Sequence, residues 1–201
     1  MQQFTSLFFR VGVTTAGAFF AIACSAEKAA PIADSSASRA VIVDSSTSTV
    51  SSAWIARLDA VGPVRVGTIV GEAARVVQTT ARIERNAPGE ECGYAYLAAA
   101  PTGVKFMLSG DTIVRVDIDS TYVKTLEGAG VGDTEQSVLA RYVGRVQVTP
   151  HKYEGPKAHY LIVTVANDTL HRMLFETSEH GIVTRYRVGF GRAVALVEGC
   201  S

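Results

Sequence analysis

The chain has 201 residues, three cysteines, 18 glycines and 19 Lys+Arg against 19 Asp+Glu. A zero formal charge leaves no basic excess for a nucleic-acid partner. At 47% hydrophobic residues and mean hydropathy +0.19 the chain is too apolar to be disordered throughout.

Residues 1–24 read MQQFTSLFFRVGVTTAGAFFAIAC, with Arg10 as the only charged side chain. Val11 to Ala23 is an apolar stretch of signal-peptide length, too short to span a bilayer comfortably. Ala21-Ile22-Ala23-Cys24 resembles the bacterial lipobox, in which a small residue precedes a cysteine that is lipidated and becomes the new amino terminus. The pattern's usual Leu is Ala21 here. The resemblance implies a signal peptide over 1–23 and an acylated Cys24 that anchors the protein to a membrane. Ser25 stands where an inner-membrane retention signal would place Asp, which implies the outer membrane, periplasmic face, in a host with two membranes. Losing Arg10 with the signal leaves 18 basic against 19 acidic residues.

The next segment, to Ser52, is rich in Ser, Thr and Ala, with only Val41-Ile42-Val43 as an apolar cluster. It cannot bury enough surface to offset its ordering entropy, so 24–52 is expected to be a flexible tether. From Trp54 the composition shifts to Val, Tyr, Phe, Gly and Arg. The remaining ~148 residues suffice for one compact domain, assigned to 53–201.

That domain contains a self-similarity. Val66-Gly67-Thr68 and Val131-Gly132-Asp133 each precede apolar residues at helical spacing, Ala73 with Val77 and Val138 with Tyr142. Thr68 and Asp133 are the expected helix caps, with Gln136 at capping-box spacing and Gly144 past the second helix. Alternating segments follow each helix. In the first half they are Gly93–Leu97, Val104–Leu108 and Ile113–Ile118. In the second they are Arg145–Val148, His159–Val165, Arg172–Thr177, Ile182–Val188 and Val194–Val197. Phe106 and Phe175 occupy matching places, each before a polar turn. Short connections favour antiparallel pairing. The expected fold is α+β: two tandem helix-plus-hairpin repeats, 53–126 and 127–201, forming one concave antiparallel sheet with short helices on one face. This resembles the β-lactamase inhibitor protein architecture. The Gly-x-Thr-x-x-x-Val helix start is similar to the outer-membrane assembly lipoproteins of the SmpA/OmlA group, although Thr68-Ile69 and Asp133-Thr134 do not match that motif identically.

With Cys24 assigned to lipid, Cys92 and Cys200 are expected to pair in an oxidising compartment. Closing so long a loop contributes about 4–5 kcal/mol in chain-entropy terms, before strain.

No catalytic constellation stands out. The Gly128–Gly132 run lacks a bare helix N-terminus after a strand, because Asp133 occupies it. Asp117-Ile118-Asp119-Ser120 lacks the glycine and closing acid of a calcium loop, and its alternation reads as a solvated strand face. The densest chemistry is His151 to Tyr160, where a turn through Gly155-Pro156 brings His151, Lys152, Tyr153, His159 and Tyr160 onto neighbouring strands. The expectation is a non-catalytic module, without cofactor or metal, that binds an envelope protein or cell-wall component. Its anchors would be Tyr94, Tyr96, Tyr153 and Tyr160 on the sheet face opposite the helices. Two other readings stay open: a small hydrolase or metal protein using His151 and His159, and a structural periplasmic spacer.

Overall fold

The computed structural model describes residues 54–200. The proposed signal, Cys24 and the tether lie outside them. A two-strand ribbon, β1 (Ala60–Val61) and β2 (Val64–Arg65), precedes helix α1 (Val70–Val76). Four strands follow: β3 (Ala81–Glu84), β4 (Cys92–Leu97), β5 (Val104–Ser109) and β6 (Thr112–Ile118). Helix α2 (Glu135–Arg141) then leads to β7 (Val146–Pro150), β8 (His159–Val165), β9 (Asp168–Thr177) and β10 (Val183–Phe190), and α3 (Gly191–Val194) ends the set. The eight longer strands form one antiparallel sheet in the order β3-β4-β5-β6-β10-β9-β8-β7. The fold class is α+β. The two runs of four strands join through β6 and β10, where Asp117 faces Arg187.

Strand alternation sorts the side chains. Ala95, Leu97, Phe106, Val116, Ile118, Leu161, Val163, Phe175, Tyr186 and Val188 fill one core with Val70, Ala73 and Ala74 of α1 and Val138 of α2. The i, i+4 spacing works as expected: Val138 and Tyr142 are buried there, and Val77 packs against the cluster. Seven-residue helices are too short to stand alone, so this packing holds them.

Both helices start one residue later than expected. Thr68 does not cap α1: the N-cap is Ile69, with no side-chain bond. Asp133 does not cap α2: Thr134 does, its hydroxyl accepting from Ser137 N at 3.2 Å. The reason lies in the backbone. The carbonyls of Thr68 and Asp133 accept from Ile113 N and Val183 N, both at 2.9 Å, which holds these residues extended. Gly67 N donates to Ile113 O, and Gly132 N to Val183 O. Gly67 and Gly132 both take φ +88°, a conformation that suits glycine. Asp133 turns back instead to accept from Gly130 N at 2.8 Å and to pair with Lys124.

Two further expectations are corrected. Val194–Val197 is not a strand: Val194 ends α3 and the following residues leave it as a tail. Nor do all helices share a face. α3 packs on β9, β10 and β6 from the other side of the sheet, with Val194 beside Tyr160 and Leu174.

Candidate binding face

The face turned away from α1 and α2 carries Tyr94 and Tyr96 from β4, Lys105 from β5, Arg115 and Asp117 from β6, Arg185 and Arg187 from β10, and Glu176 from β9. α3 and the tail lie over it. A four-residue helix leaves its last carbonyls without intrahelical donors. Two sheet arginines supply them. Arg115 Nη1 donates to Ala193 O (2.8 Å) and Leu196 O (2.7 Å), and Arg187 Nε donates to Val194 O (2.6 Å). The Cys92–Cys200 disulfide ties the tail's end to β4, closing a loop with a sequence separation of 108. It secures a tail rather than the final strand expected there.

Both arginines are almost fully buried, so their charges need partners. Arg115 Nη2 donates to Asp117 Oδ2 (3.1 Å) and Tyr94 Oη (3.0 Å). Arg187 Nη1 pairs with Glu176 Oε1. Glu176 Oε2 lies 3.3 Å from His151 Nε2 and 3.6 Å from Arg185 Nε. His151 Nδ1 accepts from Tyr153 N (3.2 Å) and Glu154 N (3.1 Å). An accepting Nδ1 carries no proton, so the proton sits on Nε2, which donates to Glu176. The ring stacks on Tyr160 at 4.3 Å between centroids. Desolvation, followed by the charge of Asp117, pushes the Tyr94 hydroxyl above its ordinary range, so it stays protonated.

Beside the tail is a cavity of about 390 Å³ lined by Tyr94, Tyr96, Lys105, Asp117, Arg185 and Glu198, among others. Cations cover the tyrosine rings: Lys105 Nζ lies 4.4 Å from the Tyr94 centroid and the Arg82 guanidinium 4.3 Å from that of Tyr96. Lys152 Nζ lies 4.7 Å from Tyr153. Glu198 accepts from Tyr153 Oη and from Lys152 Nζ (3.2 Å). Hydrogen bonds from Tyr153 and then Lys152 hold the Glu198 carboxyl below its ordinary range.

Of the residues singled out in the sequence, Tyr94, Tyr96, Lys152 and Tyr153 are gathered around the tail. Tyr160 is not a surface anchor: it is 7% exposed and packs under His151 with Leu174 and Val194. His151 and His159 do not converge. His151 is on the tail-covered face with Glu176, whereas His159, in register with core-facing Leu161 and Val163, places Nδ1 2.9 Å from Glu135 at the start of α2. Among the described residues no group of three or more His, Cys, Asp or Glu side chains is placed to hold a metal ion. Asp117 is not on a solvated face: its side chain is 16% exposed and bound to Arg115. Arg115, Arg187 and Glu176 were invisible in the sequence, because a charged residue alternating with apolar ones in a strand reads as solvent-facing whether or not a tail covers it.

Comparison with family models, curated proteins and solved structures finds no match to this chain.

Proposed function

We propose that this chain is a lipid-anchored protein of the bacterial cell envelope. Its folded part is a non-catalytic module that binds another envelope protein or a cell-wall component. Cys24 carries the anchor, and 24–52 gives the domain reach from the membrane. Two tandem repeats build the domain. Matching hydrogen bonds support this: Val70 N donates to Asp111 O at 2.9 Å as Glu135 N donates to Gly181 O at 2.8 Å.

One observation carries the binding reading. Tyr94 and Tyr96 line a cavity beside the tail, Tyr153 reaches the tail from the β7–β8 loop through Glu198, and each of the three rings lies under a cation. Tyrosines held this way present large contact area at low entropic cost, and Arg and Tyr are the side chains that dominate protein interfaces.

The test is crosslinking of the full chain in intact cells with a photoreactive residue at Tyr122, 88% exposed and outside the proposed face, compared with one at Tyr96. Capture of one partner from position 96 and not from 122 is expected. Tyr96→Asp with Tyr153→Asp should lower recovery of that partner at least tenfold when a neighbouring face position carries the crosslinker. Equal capture from both positions, or none from 96, overturns the reading.

A further inference from the structure

The tail-covered face has a second depression, walled by the other side of the same segment. It is a cleft of about 890 Å³ lined mainly by Met107, Val114, Ile162, Leu170, Phe190 and Leu196. That volume is within the range of small-molecule sites, and the lining is of the kind that buries an alkyl chain. Met107 adds an adaptable, polarizable wall. Leu170 is 66% and Leu196 49% exposed, so apolar surface stands open to water at the cleft's edge.

The charges around it are uneven. Arg172 and Arg192 line the cleft, from β9 and α3. Arg172 Nη1 donates to two backbone carbonyls, Asp168 O (3.1 Å) and His171 O (2.6 Å), and neither arginine has a carboxylate partner among the described residues. The lining's acid, Glu91, adjoins Cys92 of β4, and the sheet order puts β5, β6 and β10 between β4 and β9. The lining contributed by β9 and α3 therefore holds two cations and no carboxylate, the Asp168 carboxylate at the start of β9 being outside it and bonded to His171. A guanidinium fork without a carboxylate matches a planar anionic head group.

We infer that this cleft binds a free single-chain anionic amphiphile, a long-chain carboxylate, with its chain along Met107, Ile162 and Leu196 and its head at Arg172 and Arg192. Peptides are disfavoured because the lining offers few groups for a buried backbone, whose N–H and C=O groups need partners. The inference does not depend on the partner-binding face around Tyr96. Crosslinking there can fail while this site stands, and the reverse.

The test is calorimetric titration of the full chain carrying Cys24→Ser, so that no covalent acyl group competes, with laurate, myristate and palmitate below their aggregation concentrations. Saturable one-to-one binding is expected, strengthening by up to roughly fourfold per added methylene until the cleft is filled. Hexadecanol, with no anionic head, should bind about tenfold more weakly than palmitate, a difference Arg192→Glu should largely erase. Leu170→Asp with Leu196→Asp should weaken palmitate at least tenfold. No saturable binding, affinity flat with chain length, or palmitate binding unchanged by the two aspartates overturns the site. Equal binding of hexadecanol and palmitate overturns the head-group assignment. Leu170 and Arg192 are both exposed, and the chain-length series needs no variant, so a folding defect cannot mask the outcome.

Discussion

On the helix-covered face, Phe106, Phe175 and Tyr186 meet aliphatic side chains from both runs of four strands, and Phe175 stacks on Tyr186 at 5.1 Å between centroids. On the other face, Arg115, Arg187, Glu176 and the His151 ring are nearly as buried, but there guanidinium groups hold the tail and carboxylates hold the guanidinium groups. The apolar side needs only complementary shape. The charged side depends on partners for its buried groups, and it has none to spare: Arg187 Nη2 is already buried without an acceptor. Removing a part from the second face therefore leaves a damaged network as well as a hole.

The sharpest way to break this contrast is Glu176→Ala. It leaves Arg187 and His151 buried without their acceptor and should cost about 3–5 kcal/mol in urea unfolding. Phe175→Ala should cost a similar amount, about 3–5 kcal/mol, through its cavity. The two losses differ in how they can be repaired. Glu176→Leu with Arg187→Met should recover part of the first, because an apolar pair of similar volume replaces a buried ion pair well, while His151 Nε2 and Val194 O each still lose a partner. If the double variant is no more stable than Glu176→Ala, the ion network is not what the single change breaks.

Legibility follows the same division. His159–Val165 was legible to the residue because apolar alternation sets one side of it in the core. β3 was missed because it is an edge strand with all four residues exposed, paired only to β4. Val194–Val197 was misread because a short apolar run fits a strand, a helix end or a tail equally well. Arg187 follows Arg185 and Tyr186 in an alternation that looks half-solvated, and it is buried because the chain just after β10 folds back over it, whereas Arg115 on β6 is covered by the same segment from 78 residues away. The candidate face was legible in its tyrosines and silent in the network beneath them.

Asp168 extends the comparison to pH. Burial raises the Asp168 carboxyl, but hydrogen bonds from His171 N, the His171 ring and Leu170 N outweigh it, so the folded value lies below the ordinary one. A depressed carboxyl contributes stability that is present above its unfolded value, about 3.9, and is lost as pH falls through the folded value. Wild type should exceed Asp168→Asn in urea midpoint near neutrality, with the gap closing below about pH 4. A gap that persists undiminished at pH 2 would show that the carboxylate's charge is not what matters.

The smallest effects separate the two helix starts. In α2 the Thr134 hydroxyl accepts from Ser137 N, so Thr134→Ala should cost about 1 kcal/mol. In α1 the corresponding donor, Glu72 N, already bonds Ile69 O at 2.9 Å, closing the first turn through the backbone. Thr68 serves through its backbone, its N–H donating to Arg65 O and its carbonyl accepting from Ile113 N, so Thr68→Ala should stay within about 0.5 kcal/mol of wild type. Ile69 is 56% exposed, and its replacement sacrifices little burial. Ile69→Thr puts a hydroxyl where α2 has one and keeps the β-branched shape suited to the extended cap. Because the turn is already closed, it should add no more than a few tenths of a kcal/mol. A gain near 1 kcal/mol would mean the backbone bond at Glu72 is weak, and that both helices depend on a threonine cap that only α2 possesses.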